Sequence, residues 1–224
     1  FDRLINIWGA DHHGYVPRRE AAVKALGSGE VKVIIHQQVS LLRGTEVVKM
    51  SKRAGDFISL KELVDDVGAD ACRFFFASRG PNTHLNFDIE LAKKKSNENP
   101  VYYVQYVHAR IASIFDNAAA KGVDPAAGFD ESKVVINPGE RALMLKLLWL
   151  EKTLADCARD NSPHHLTTYL MELAALFHSF YDQHKVLDPE NKEVTAFRLF
   201  LLRSVKGVIA KGLGLLGVSA PERM

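Results

Sequence analysis

The stretch PVYYVQYVHARIASIFDNAAA, residues 100–120, places Val104, Val107, Ile111 and Ile114 at successive spacings of three, four and three. Side chains so spaced fall on one stripe of an α-helix, so a long helix is predicted from about residue 98 to 120. Downstream, residues 121–137 are rich in turn formers. Asn137, Pro138 and Glu140 then have the residue types of a helix start: a capping side chain, a proline whose missing N–H costs nothing there, and an acid in the first turn. The stripe Leu143, Leu147, Leu150, Leu154 predicts one long helix beyond that start. Ser162-Pro163 opens another, with Leu166, Leu170, Leu173, Phe177 and Phe180 on one face. After a break at Leu187-Asp188-Pro189, Phe197, Leu201, Val205 and Val208 mark a last helix over 194–214. The pattern predicts a bundle of four or more helices.

Upstream the periodicity changes. Leu4 to Trp8 and Val31 to His36 are short apolar, β-branched runs on either side of a helical pattern from Arg18 to Leu26, the repeat of a parallel α/β sheet. Val39 to Arg43 and Glu46 to Met50 flank Gly44-Thr45 and read as a hairpin. Ser59 and Glu62 form a capping-box pair before a short helix, about 60 to 67, with Gly68 as its stop. A further helix is expected from Asp70 to Ser78, ended by Pro81-Asn82. The expected divisions are residues 1–56 (end of an α/β domain), 57–95 (helical connector) and 96–224 (helical domain).

The 224 residues are 25% charged and 47% hydrophobic, with 29 Lys and Arg against 27 Asp and Glu, which excludes disordered and collagen-like classes. Cys72 and Cys157 lie in no metal-binding pattern and cannot make a disulfide framework, so a reducing, cytoplasmic setting is expected and no metal site. The longest apolar runs are cut by Lys146 and Lys206, so no membrane span is predicted. Residues 1–95 carry 15 basic and 12 acidic side chains and residues 96–224 carry 14 and 15. The helical part is therefore no general polyanion binder. Its last thirty residues do hold Arg198, Arg203, Lys206, Lys211 and Arg223 against Glu222 alone, a surplus that suits either a solvated face or phosphates.

Lys49-Met50-Ser51-Lys52-Arg53-Ala54-Gly55-Asp56 is a doubly basic loop leaving the hairpin. Composition leaves two readings open, a solvated turn and a clamp that places cations on a triphosphate. Transfer at a phosphate needs the second, because charge moves toward the leaving group in the transition state.

This loop resembles the second signature of class I aminoacyl-tRNA synthetases, Lys-Met-Ser-Lys-Ser, with Arg53 in place of the final Ser. Trp8 to Arg18 (WGADHHGYVPR), Asp70 to Phe75 (DACRFF), Asn99 to Ile111 (NPVYYVQYVHARI) and the closing Leu216 to Met224 (LGVSAPERM) narrow the resemblance to the arginyl-tRNA synthetase family. It implies a mainly α chain, a C-terminal helical anticodon-binding domain preceded by the second half of a Rossmann-like nucleotide-binding domain. It also implies ATP-dependent ligation of L-arginine to its tRNA through arginyl-adenylate, with Mg2+ carried by ATP, in a cytoplasmic monomer. Lys49 and Lys52 would stabilise the leaving pyrophosphate. Asp11, His12, His13, Tyr15, Met50 and Ser51 would line the ATP site, His13 being favoured over His12 and Tyr15 being open to a packing role. Tyr102, Tyr106, Tyr181, His184, Arg198, Arg203 and Met224 would meet tRNA, with Lys206 near phosphates and Lys93-Lys94-Lys95 either solvated or beside the tRNA path. Tyr103 is expected to pack in the core, and Asp70 and Arg73 to cap and pin the connector helix.

The family's first signature, His-x-Gly-His, is not found, and His12-His13-Gly14-Tyr15 does not match it. The chain is therefore expected to be the C-terminal part of a longer enzyme and not to form adenylate alone. A second reading stays open: a synthetase-derived tRNA-binding module without catalysis, against which the intact Lys49 and Lys52 argue.

Overall fold

The computed structural model describes residues 3–27, 30–48 and 58–224. The loop carrying Lys49, Met50, Ser51 and Lys52 lies outside the described residues. The chain forms two units, Phe1–Ile58 with Arg79–Glu90, and Ser59–Ser78 with Leu91–Met224. The segment 57–95, expected as a separate connector, is thus divided between them.

In the first unit, β1 (Arg3–Gly9) and β2 (Glu30–His36) pair in parallel, Leu4 opposite Val31 and Trp8 opposite Ile35, joined through a 3-10 turn (Ala10–Tyr15) and α1 (Val16–Ala25). This is the strand-helix-strand predicted from the apolar runs. Ile5 and Ile7, on alternate positions of β1, are exposed. The hairpin also forms: β3 (Val39–Arg43) pairs antiparallel with β4 (Glu46–Val47), and Gly44 at the turn has φ +64°, a left-handed conformation open to glycine without strain. A strand not foreseen, β5 (Leu85–Asp88), pairs in parallel with β3, its Leu85 and Phe87 buried and Asn86 exposed.

The second unit is helical. Ser59 caps α2 (Leu60–Val67) in the predicted box: its hydroxyl accepts from Glu62 N at 3.2 Å while Glu62 accepts from Ser59 N at 2.7 Å. After Gly68, α3 (Ala69–Ala77) follows, then, past β5, α4 (Ile89–Lys93). Asn99 is buried and joins α4 to α5 (Pro100–Ala120): its side chain accepts from Val101 N and donates to the carbonyls of Ala92 and Lys94 at 2.9 Å.

The expected single helix beyond Asn137 is two, α6 (Pro138–Leu148) and α7 (Leu150–Asp160). Trp149 bonds back to Lys146 O, an i to i−3 contact that tightens the turn, and its own carbonyl accepts from Thr153 N and Oγ1. Helices α8 (His164–Gln183) and α9 (Lys192–Leu215) complete the bundle. Helix α5 packs on α3, α8 and α9, and α8 also carries α6 and α7. The predicted stripes of α5, α8 and α9 form the core, with Val104, Val107, Ile111, Leu170, Leu173, Phe177 and Val205 fully buried, as is Leu143 of α6, whereas Leu147, Leu150 and Leu154 of the stripe expected beyond Asn137 are half-buried. Each fully buried side chain contributes about 1.5–3 kcal/mol of transfer free energy. On α9, Ile209 rather than the expected Val208 is the buried residue at the end of the stripe. No helix among the described residues is long and apolar enough to cross a membrane.

Candidate functional site

The aromatic start of α5 faces α8 and builds a ring array. Tyr102 and Tyr106, one turn apart, lie 6.2 Å between centroids at 14°. Tyr106 is 5.9 Å and 20° from His178 of α8, and Tyr103 is 4.5 Å from the same imidazole. The Arg110 guanidinium stands over both Tyr106 (5.0 Å) and Tyr181 (5.5 Å) and donates to the Tyr106 hydroxyl. Tyr181 in turn stacks on Phe177 at 5.8 Å and 12°. Tyr102, Tyr106, Arg110 and Tyr181 are each half-buried, so faces remain open. Burial, with the Asp182 charge second, pushes the Tyr103 phenol up, but Tyr103 is half-buried like Tyr102 and Tyr106 and does not lie in the core where it was expected. Half-open aromatic faces interleaved with a cation are what unstacked bases and their phosphates bind. Sequence reasoning nominated Tyr102, Tyr106 and Tyr181 but missed Arg110 and His178. The spacing Tyr103, Tyr106, Arg110, which lies along one side of a helix, was the available signal.

Beside this array the last nine residues fold back. After α9, Gly217 takes φ +68°, Val218 is buried, and Ser219 reaches Asp70 of α3. Gln105 of α5 donates to Asp70 Oδ2 (2.8 Å) and to Ser219 O (2.9 Å), and His108 Nδ1 bonds Pro221 O at 2.9 Å. Lys206 holds both Glu222 oxygens, at 2.7 and 2.9 Å, and so is ion-paired. The strap leaves Met224 half-exposed at a cleft of about 490 Å3 shared with Tyr102, Gln105, Asn99 and Lys93–Lys95. There Lys93 pairs with Asp66 (2.6 Å) and Lys94 with Glu98, while Lys95 is exposed. Asp70 does not cap its helix as expected. The residue at the cap of α3 is Gly68, and the Asp70 carboxylate serves the tail.

Arg198 departs most from its expected role. Its Nε donates to buried Glu140 at 2.7 Å and its Nη1 to Lys185 O at 2.7 Å, so it braces α9 to α6 and does not present itself to phosphate. Arg203 donates to Pro125 O in the loop before α6. His184 lies against Phe180 at 5.2 Å, the rings tilted by 37°, and lines, with Tyr181, Asn117, Lys121 and Lys185, a second cleft of about 520 Å3.

In the first unit Asp11, His12, His13 and Tyr15 occupy the 3-10 turn at the carboxyl end of β1, where ligands of open α/β sheets bind. All four are exposed. His12, not the favoured His13, lines a cleft of about 390 Å3 with Trp8 and Tyr15. His12 is 6.5 Å from Trp8 and 6.2 Å from Tyr15, and Arg18 stands over the Tyr15 ring. Trp8, counted as strand in the sequence, is the wall that reading missed. Gly9 keeps the turn open: a Cβ there would stand 2.7 Å from Asp11 Oδ1.

Residues 104–224 match the family described as the DALR anticodon binding domain. The whole chain is 59% identical to the arginine–tRNA ligase of Elusimicrobium minutum, covering 42% of that protein, and 51% identical to that of Thermotoga maritima, covering 41%. The solved arginyl-tRNA synthetase of Thermus thermophilus superposes with a TM-score of 0.76 at 26% identity, over all of this chain and 41% of that one. The chain thus spans about two fifths of the length of the relatives it matches, and the part matched is their C-terminal part. The ring array of α5 and α8 and the folded-back tail therefore sit in a member of a known family: the chain belongs to the DALR anticodon-binding domain family, as the C-terminal part of an arginyl-tRNA synthetase.

Proposed function

We propose that the helical unit holds the anticodon stem-loop of an arginine tRNA, and that residues 1–56 contribute the ATP-handling loop of a cytoplasmic ATP-dependent arginine–tRNA ligase. The observation that carries the reading is the Tyr102, Tyr106, Arg110, Tyr181 array. Loop bases that leave their own stack need aromatic faces, and the adjoining backbone needs a cation that does not titrate. Arg110 and Lys95 supply charge on the α5 side, and Met224 and Tyr102 supply an apolar floor. This replaces Arg198, which is committed to Glu140.

In the proposed reaction the carboxylate of L-arginine attacks the α-phosphorus of ATP, arginyl-adenylate forms and pyrophosphate leaves with the Mg2+ that entered with ATP. A hydroxyl of the terminal ribose of the tRNA then takes the arginyl group and releases AMP. Lys49 and Lys52 would meet charge as it moves onto the leaving pyrophosphate, a stabilisation that operates only as the bond breaks. Met50 and Ser51 would follow the triphosphate, and Trp8, His12 and Tyr15 would receive the purine at the end of β1, with Asp11 and His13 at its rim.

An electrophoretic shift of arginine tRNA by the 224-residue chain tests the reading. Binding that is weakened by Tyr106→Ala, Tyr181→Ala or truncation of Met224, and is indifferent to Lys52→Ala, is expected. Equal binding of an unrelated tRNA would contradict it.

A further inference from the structure

His178 is enclosed by aromatic rings: Tyr103 at 4.5 Å, Phe177 at 5.5 Å and Tyr106 at 5.9 Å. Its Nε2 is buried and has no hydrogen-bond partner. In the tautomer with the proton on Nδ1, Nε2 is a bare acceptor, and leaving it unpaired costs far less than leaving a buried charged N–H unpaired. The groups facing it are few. From α5 come the Tyr103 and Tyr106 rings, a hydrogen bond with the Tyr103 backbone that favours the charged form, and the Arg110 guanidinium, which opposes it. From α8 comes Asp182, one turn on, which favours it. Among the described residues no charge from α3, α6, α7 or α9 acts on it. Burial outweighs the rest and holds the imidazole below its usual range, so at neutral pH the ring is uncharged.

We propose that His178 is a positioning residue: its neutral ring, packed against Tyr103, holds Tyr106 in the attitude that receives a base, and protonation loosens that support, so RNA binding by this face weakens in acid. A proton on Nε2 would be a charged donor with no acceptor, set between aromatic rings beside Arg110. The imidazole must then turn toward water, and both tyrosine rings lose the surface they rest on. The direction is the reverse of the ordinary one. A histidine near phosphates gains charge in acid and tightens RNA binding. The inference rests on the reading of the α5–α8 face as an RNA-binding surface, and its test separates the two.

Two quantities decide it: the tyrosine near-ultraviolet circular dichroism titrated downward from about pH 7.5 without RNA, and the affinity of the 224-residue chain for arginine tRNA at about pH 7.5 and on the acid side of that transition. The absence of any transition in the unaltered chain overturns the proposal. For the unaltered chain, affinity is expected to fall about tenfold in acid, the loss of one stacking contact, with a matching change in the tyrosine signal. In His178→Phe, which keeps a ring and cannot titrate, and in His178→Gln, the ratio of the two affinities should approach one and the spectral transition should vanish. Far-ultraviolet spectra of each variant report whether the helices are intact. A transition that survives in both variants, or tighter binding in acid that depends on His178, overturns the proposal. If the transition depends on His178 but no tRNA binds at any pH, the RNA-binding reading fails and the protonation-linked loosening of the rings stands.

Discussion

The Asp70 carboxylate accepts from both the amide and the hydroxyl of Ser219, a residue 149 positions further along the chain, and Gln105 joins them. One acid of α3 thereby fastens the last residues of the chain across α5. Hydrogen bonds to an ionised group contribute about 1.5–3 kcal/mol each. Asp70→Ala is expected to loosen the tail: amide exchange at Ser219, whose N–H donates to Asp70, should rise toward unprotected rates while Val218, whose N–H is held by Leu213 O, and helices α5 and α8 stay protected. Unchanged protection of Ser219 would mean that Val218 burial and the Gln105, His108 and Lys206 contacts hold the tail without Asp70.

The Glu140–Arg198 pair predicts an asymmetry. Glu140 is 1% exposed and also accepts from Asn137 N, closing the capping box of α6. Removing one partner leaves the other charge buried, at a cost of about 3–5 kcal/mol. Urea unfolding of Glu140→Ala and of Arg198→Ala should each show a loss of that order, whereas the double variant Glu140→Ala with Arg198→Ala should lose much less than the sum. Additive losses would show that the two groups do not act as a pair.

Three glycines of α9 should respond with opposite signs. A Cβ on Gly212 would stand 2.7 Å from Leu170 Cδ2 and 3.3 Å from its Cγ, whereas Gly207 and Gly214 have nothing within 4 Å. Leu170 is fully buried and cannot step aside. Gly212→Ala is therefore expected to destabilise by about 1–3 kcal/mol through overpacking. Gly207→Ala and Gly214→Ala are expected to stabilise by about 0.5–1 kcal/mol, the helix-propensity gain over glycine. Thermal unfolding of the three variants checks the signs.

Acid should loosen the strap at Glu222. Its hydrogen bond to Lys206, with that charge and His108 behind it, holds the carboxyl below the usual value of 4.5. A depressed folded value means that the contribution is complete above about pH 4.5 and is lost as pH falls through the lower folded value. Glu222 is 63% exposed, so the pair is worth under about 1 kcal/mol and is screened by salt. Chemical shifts of the tail amides should move in that acid window in the unaltered chain and not in Glu222→Gln.

Elements set by neighbouring residues were legible in the sequence. Both capping boxes, the Gly44 turn and the stripes of α5 and α8 depend on residues within a turn or two of each other. Strand β5 was not, because it has four residues and exists through its pairing with β3. The break at Trp149 was hidden by a leucine stripe that runs on through it. In the site, ring-bearing residues could be nominated by type, but the role of Arg198 is set by Glu140, 58 residues away, and those of Arg110, His178 and Trp8 by rings on other turns or elements. The lysine loop was read from its motif and lies outside the described residues.

The proposed grip on the anticodon loop is tested most directly by chemical protection of arginine tRNA bound to the 224-residue chain. Protection centred on the anticodon loop, lost with Tyr106→Ala and with Arg110→Ala, is the predicted result. Protection confined to other parts of the tRNA, or an anticodon-loop footprint unaffected by both changes, would contradict it.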